Sequence, residues 1–418
     1  MDPRYQPPLD WIADQHAAMA EQVARWSAIN TGSLHLAGLA RLADELARDA
    51  EPLDAELSRT DLPPLQAIGE TGRPRTLPLG QALVLRKRPH APRQALLAIH
   101  YDTVFPPDHP FQNVRQLPGG VLAGPGVADA KGGIAVLLTA LAAFEQSDVA
   151  DDLGWQVVLN PDEEFGSPGS APLLATVARQ ADVGLVFEPS LPDGVLVGAR
   201  KGSGNFTLVV RGRAAHAGRE FHRGRNAVHA LAQAVTELDD LNRQLPGVTV
   251  NVGRIVGGGP VNVVPDLAVC RFNIRIHEES DQQRVEHELT RLLGRLQWRD
   301  GYQSTLQGGF GAPVKPLDAP TRTVLEQIAG CGRDLGLKLT WRPSGGVCDG
   351  NRLAAAGLPT VDTLGPRGSG IHSRDEQLIL PSLAERARLA ALLLMKYAAG
   401  ELEPPPKIIN GGNQSAPG

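Results

Sequence analysis

Asp162, Glu163 and Glu164 stand side by side in "NPDEEFGS" (160–167), directly after the apolar run "WQVVLN". Three adjacent like charges repel one another and are costly to dehydrate unless something positive sits among them. A solvated turn explains such a triplet when it stands alone. Here other residues with useful chemistry occupy equivalent places. His100 and Asp102 end "ALLAIHYD", Glu188 follows the run in "VGLVFEPS", Asp129 lies in the glycine-rich "AGPGVADAKGG", and His372 lies in "GPRGSGIHSRDE". A single histidine at a strand end is ordinarily a satisfied histidine, and a glutamate before proline is ordinarily a solvated turn residue. Five coincidences at strand ends of one expected sheet point elsewhere. Two histidines, two glutamates and one aspartate make an N/O ligand set suited to zinc, or to cobalt or manganese, when paired metals share a bridging carboxylate. The spare carboxylate beside a ligand is then free to work as a base.

A sheet has to bring these residues together. "ALLAIHYD", "WQVVLNPDEE", "VGLVFEPS" and "LPTVDTLG" read as buried strands, and "GGIAVLLTALAAFEQ" and "LAERARLAALLLMKYAAG" as helices. The alternation predicts an α/β sheet layered between helices. Ligands in such sheets gather at the carboxyl ends of the strands, which is where the acids and histidines fall. From about residue 201 to 312 the rhythm changes. Strand "GNFTLVVRG", helix "GRNAVHALAQAVTELDDLNRQL", strands "VTVNVGRIV" and "VVPDLAVCRFNIRI", helix "DQQRVEHELTRLLGRL" and strand "YQSTLQGG" follow one another. That β-α-β-β-α-β order is the ferredoxin-like sandwich, and the parallel-sheet pattern resumes after it, so the unit reads as an insertion. No internal repeat is visible. The tail from 401 to 418, with "EPPPKIINGGNQSAPG", is disordered by composition.

Bulk properties exclude several function classes. A chain of 418 residues with 42% hydrophobic and 21% charged residues is long enough for two domains with sizeable cores. A net charge of -5 with no long basic run argues against a nucleic-acid partner. Cys270, Cys331 and Cys348 are odd in number and lack C-x-x-C spacing, which predicts a reducing, cytoplasmic setting without a disulfide framework or zinc ribbon. The start, "MDPRYQPPLDWIADQHAAMA", has no apolar h-region of a signal peptide. No run approaches 18 uninterrupted apolar residues, so neither a membrane span nor a membrane partner is expected.

Taken together, the motifs resemble the co-catalytic zinc aminoacylase and carboxypeptidase family that includes bacterial glutamate carboxypeptidase, acetylornithine deacetylase, succinyl-diaminopimelate desuccinylase and aminoacylase. The likeness runs from about residue 20 to 400. It rests on "HYD", "GPGVADAKGG", "DEEFGS", "EPS" and "GIHSRDE", with "GRAAHAG" and "GGGPVNVVPD" in the inserted unit. This resemblance implies a zinc-exopeptidase-like α/β catalytic domain with a mixed sheet (1–200 and 313–400), interrupted by a lid and dimerisation domain (201–312). It implies two Zn2+, with Co2+ or Mn2+ as substitutes. His100, Asp129 and Glu188 would hold one ion, and Asp129, Glu164 and His372 the other, Asp129 bridging. Glu163 would be the general base, and Asp102 the partner that orients His100. "DAKGG" departs from the commoner Asp-Asp or Asp-Met, and marks the Asp129–Ala130 peptide as the place to look for a cis bond. Asp162 is left a structural part.

The resemblance also places the specificity in the lid. Alternation in "VCRFNIRI" puts Cys270, Phe272, Ile274 and Ile276 on an apolar face and Arg271, Asn273 and Arg275 on the other. Arg271 reads as a solvated arginine. Arg275 matches the position at which the family holds a terminal carboxylate, a task suited to a planar bidentate fork. Asn262 matches a lid residue that contacts substrate, and His216 a donor to the oxyanion that serves the neighbouring subunit of a homodimer. The implied activity is hydrolysis of an N-acyl amino acid or short peptide with a free carboxylate, with carboxypeptidase and deacylase left undivided. Two alternatives stay open: a non-catalytic relative that binds such ligands, which would be marked by a lost base or ligand where none is lost here, and an aminopeptidase-like di- or tripeptidase.

Overall fold

The computed structural model describes residues 1–407. Its central sheet is mixed, in the order Glu56–Asp61, Gln81–Lys87, Leu153–Asn160, Arg93–His100, Val183–Val186, Thr360–Val361. The last four strands run parallel and the first two form an antiparallel edge. Strand Leu153–Asn160 is buried at every position, as expected of a parallel strand covered on both faces. Successive side chains point to opposite faces. Leu97, Ile99, Val157 and Leu159 therefore meet the core that holds helices Gly133–Phe144 and Pro381–Ala398, while Leu96, Ala98, Val158 and Val186 meet helices Ala171–Ala178 and Asp349–Ala355. Among the described residues one helical stretch, Val127–Phe144, is long and apolar enough to cross a membrane, and burial of 94% of it inside the molecule accounts for its composition.

A second sheet, wholly antiparallel, has the order Thr249–Gly257, Leu267–Ile276, Gly202–Arg211, Gln303–Ala312. Helices Ala227–Gln244 and Glu279–Gln297 cover one face and share a separate core with Phe206, Leu208, Cys270, Phe272 and Ile274. The element order is the one read from the sequence. The chain enters this unit after Arg200 and leaves it before Lys315, and these two residues pair as an antiparallel bridge. Both cations reach the buried Asp362, at 2.9 Å each. Charges removed from water in this way need partners.

Several strands are shorter than the sequence suggests; those expected to reach residues 190 and 164 stop at Val186 and Asn160, and two others show a reason. The strand expected over 263–276 begins at Leu267, because Pro265 has no N–H to give a ladder and its carbonyl accepts instead from Ala227 N. The strand expected over 358–365 is only Thr360–Val361. Beyond it Asp362 turns to Arg200 and Lys315, and Leu364 N and Gly365 N bond the carbonyls of Val186 and Glu188 irregularly. Of the tail expected to be disordered, Glu401 accepts from Tyr5 Oη at 2.6 Å and Lys407 Nζ donates to Arg179 O at 2.9 Å; residues 408–418 lie outside the described part.

A hairpin that the sequence reading does not single out, Leu65–Ile68 with Pro74–Leu77, lies on the polar face of the second sheet. Arg271 Nη2 donates to Ile68 O at 2.8 Å and Arg211 Nη2 to Gly72 O at 2.9 Å, with an ion pair between Arg254 and Glu70. Arg271 is thus not the solvated arginine expected: it grips a backbone carbonyl. At the hairpin tip Gly72 has φ +67°, and a Cβ there would stand 2.8 Å from Val209 Cγ1. Gly72→Val is therefore expected to cost about 1–3 kcal/mol through crowding and left-handed strain. Urea unfolding measures it, and wild-type stability in that variant would show that the hairpin does not dock.

Candidate metal centre

The carboxyl ends of the parallel strands converge. His100 closes its strand in register with Asn160, the turn Glu163–Phe165 begins three residues past Asn160, and Glu188 lies two residues past the end of Val183–Val186. Their side chains meet two loops. His100 Nε2 lies 3.0 Å from Asp129 Oδ1 and 3.8 Å from Glu188 Oε1. His372 Nε2 lies 3.2 Å from Asp129 Oδ2 and 3.1 Å from Glu164 Oε2. Two ligand groups result, His100–Asp129–Glu188 and Asp129–Glu164–His372, with the candidate donor atoms of each within 4.8 Å of one another. One carboxylate belongs to both groups and directs one oxygen to each histidine.

The donor set fits divalent cations. His100 Nδ1 faces the Asp102 carbonyl at 3.1 Å and its carboxylate at 3.2 Å, which holds a ring proton on Nδ1, so that Nε2, beside Asp129 and Glu188, would be free to offer its lone pair to a cation. Three Lewis bases then converge on one point. Burial pushes the Glu163 and Glu164 carboxyls up from their ordinary range and takes Glu188 to about 8. His372, held by Asp129 and Glu164, rises to about 11. A cation among these groups supplies the charge that lets the carboxylates ionise.

This has a pH consequence for metal-stripped protein. Glu188 has an ordinary value of 4.5 and about 8 when folded without an ion. The folded chain then binds more protons than the unfolded one, so its contribution to stability is complete below 4.5 and lost as pH rises through 8. Chelator-treated protein is expected to melt at progressively lower temperature across that window, and metal-loaded protein is not. A flat melting profile for the stripped protein would count against the cluster.

The acidic triplet divides in three. Glu164 faces His372. Glu163 belongs to neither ligand group. Asp162 turns inward, fully buried, and accepts from Gly169 N at 2.7 Å, Ser170 N at 3.1 Å and Ser170 Oγ at 2.6 Å, so its part is structural. Asp102 has a task beyond His100: Oδ1 accepts from Glu163 N and Oδ2 from Glu164 N, each at 3.2 Å, while Ser33 Oγ donates to it at 2.6 Å. One buried carboxylate thereby fixes a histidine of one group and the turn that carries both glutamates.

The Asp129–Ala130 peptide is cis, as the motif suggests. Sequence reasoning gives no part to Glu376, four residues after His372, yet its buried carboxylate accepts from the N–H groups of Gly126, Ala128 and Asp129. "HSRDE" carries the residue but not the contact.

Residues 201–312 contribute no member to either ligand group. Arg275 is half-buried on Leu267–Ile276; its Nε donates to Asn273 Oδ1 at 2.9 Å and its Nη1 is buried without a partner. Burial disfavours its charge, and the carboxylate that opposes this effect is Glu163. His216 Nδ1 accepts from Gly218 N at 3.1 Å and Arg219 N at 3.2 Å, which assigns the ring proton to Nε2. His216 belongs to neither ligand group. Asn262 is exposed, its carbonyl accepting from Ala217 N at 2.9 Å.

The chain is 25% identical over 393 residues to carboxypeptidase G2 of Pseudomonas sp. (strain RS-16), covering 93% of this chain and 91% of that one. It is 30% identical over 339 residues to succinyl-diaminopimelate desuccinylase of Xanthomonas oryzae pv. oryzae (strain PXO99A), covering 76% and 82%. The crystal structure of human carnosine dipeptidase 1 shares the fold, with a TM-score of 0.73 at 16% identity over 94% of this chain and 100% of that one. The model of peptidase family M20/M25/M40 matches residues 96–396, and the chain belongs to that family.

Proposed function

We propose that the protein is a metal-dependent amidohydrolase that releases an amino acid with a free α-carboxylate from an N-acyl group or a short peptide. The observation that carries this reading is the pair of ligand groups sharing Asp129, with Glu163 beside them and bound to neither. Its relatives named carboxypeptidase G2 and succinyl-diaminopimelate desuccinylase support the same reaction class. His100, Asp129 and Glu188 would hold one divalent cation and Asp129, Glu164 and His372 a second, zinc fitting the N/O donors and cobalt or manganese substituting. When bound, such ions supply Lewis acidity, polarising the amide carbonyl and lowering the pKa of the attacking water.

The chain's own residues do the rest. Glu163 takes the proton of the attacking water and returns it to the leaving amine, one group acting as base and then acid. Asp102 fixes the turn that holds it. Residues 201–312 act as a lid, from which Arg275 offers its unpartnered Nη1 to the substrate carboxylate and Asn262 makes a further contact. His216, its Nε2–H kept outward by two backbone donors on Nδ1, supplies a hydrogen bond to the oxyanion.

We place the protein in the cytoplasm as a homodimer joined through the lid, His216 serving the partner's site. The three free, buried cysteines support a reducing compartment. Phe221, Ile255, Val261 and Val263, all exposed on the lid, support an apolar contact there.

Two measurements test the reading. A hydrolysis screen of N-acyl amino acids and dipeptides, with zinc, cobalt and manganese compared, is expected to find turnover with a free-carboxylate substrate. Elemental analysis after saturation is expected to give two ions per chain, and a single ion would remove the bridging role of Asp129.

A further inference from the structure

The loop that presents Asp129 is short of hydrogen-bond partners of its own. Gly126 takes φ +72° and the following peptides turn their N–H groups inward, where unpaired donors are costly. Glu376 meets them. Its Oε2 accepts from Gly126 N at 3.0 Å, and its Oε1 from Ala128 N at 3.0 Å and Asp129 N at 3.1 Å. Its own carbonyl accepts from Gly124 N at 3.3 Å. The side chain is 1% exposed and makes no ion pair among the described residues. Such a carboxylate is buried at a cost that these three donors offset, helped by the charge of the buried Lys131 nearby.

Glu376 also belongs to the other loop. His372 and Glu376 lie between the short strands Gly368–Ser369 and Gln377–Ile379, the second of which pairs with Val121–Ala123, just before the Asp129 loop. The strand pairing sets the two loops side by side. What remains free in it is the turn from Gly126 to Asp129, and Glu376 closes that turn.

We propose that Glu376 is a positioning residue for the metal centre, fixing the peptide of Asp129 so that its two oxygens face His100 and His372 at once, and tying the Asp129 loop to the loop of His372. This rests on the reading of Asp129 as the ligand shared by two ions. Glu376 touches no ion, yet both ion positions depend on it, because the shared ligand is the one it holds.

The test compares wild type with Glu376→Gln and Glu376→Ala as full chains. In Glu376→Gln the amide retains one oxygen and sets an NH2 against a backbone N–H, while the strand pairing on either side stays intact. Zinc affinity is measured by chelator competition, stoichiometry by elemental analysis, and the melting temperature on stripped protein. Outer partners of metal ligands are typically worth about 10–100-fold in affinity. Glu376→Gln is expected to bind zinc weaker by that factor, with kcat falling more than KM rises, while the stripped variant melts within a few degrees of stripped wild type. A wild type with two ions whose variants bind both with unchanged affinity overturns this proposal alone. A wild type that takes up one ion removes the shared-ligand reading and the proposal with it. If neither variant folds without metal, Glu376 serves folding instead of positioning, and the proposal fails.

Discussion

Glu163→Ala is expected to lower kcat by about 10²–10⁴-fold, the usual contribution of a positioned general base, while the protein keeps its fold and its metal. Glu163 is outside both ligand groups, so removing its carboxylate takes no donor from either ion. Its backbone N–H, held by Asp102 at 3.2 Å, survives the substitution, so the turn that presents Glu164 stays in place. Without an ion, burial and the neighbouring acids push its carboxyl well above the ordinary range; the charge of a bound cation would let it ionise and serve as the base. Glu164→Ala provides the contrast: it removes a ligand of His372's group and is expected to lower metal content as well as rate. Parallel measurement of kcat and bound metal in the two variants separates the roles. More than a few per cent of wild-type kcat in Glu163→Ala would move the base elsewhere.

The two glutamates were distinguishable in the sequence only through the motif that contains them. Alternation cannot decide which of two neighbours on a turn faces a metal, since the turn Glu163–Phe165 breaks the strand's period. Strand ends were legible for a simpler reason: the runs before His100 and Glu188 are apolar throughout and the one before Asn160 is broken only by Gln156, and a strand that buries both faces releases most of its polar residues at its end. The second sheet was legible because its helices and strands are amphipathic, as the burial of Cys270, Phe272, Ile274 and Ile276 illustrates.

Contacts between distant segments were the hidden part. Glu376 meets Gly126 across 250 residues, and Arg271 meets Ile68 across 203. Nothing local marks either residue, since a carboxylate that accepts backbone N–H groups and one that faces water have the same neighbours in sequence. Asp102 was visible as the partner of His100 two residues away, but its grip on Glu163 N and Glu164 N depends on strands brought parallel by the fold. The same limit applies to Asp162, whose partners Gly169 and Ser170 are near in sequence but reachable only because Gly166, at φ +82°, turns the chain back.

Conversion of a substrate's terminal carboxylate to an amide is expected to lower kcat/KM by tens to hundreds of fold in the wild type and to make little difference in Arg275→Ala. The guanidinium is prepared for an anion. Nε is occupied by Asn273 Oδ1, and Asn273 is itself held by Ser203 Oγ at 2.9 Å, Gly204 O at 3.1 Å and Asn205 Oδ1 at 2.8 Å. The fork is therefore fixed in direction, with the buried Nη1 left without a partner. A charge-assisted bidentate contact to a carboxylate in such a place is worth roughly 2–4 kcal/mol, which is the stated range in rate. Because the second sheet must sit over the ligand groups for Arg275 to reach a bound substrate, the loss is expected in kcat as well as KM. Arg275→Lys is not expected to rescue it, since an ammonium on a flexible stem has one point of charge where the fork has two parallel donors. The comparison uses one N-acyl amino acid and its C-terminal amide with wild type, Arg275→Ala and Arg275→Lys. Equal cleavage of acid and amide by the wild type would take Arg275 out of substrate recognition, and would favour a relative that reads a free amine in place of the carboxylate.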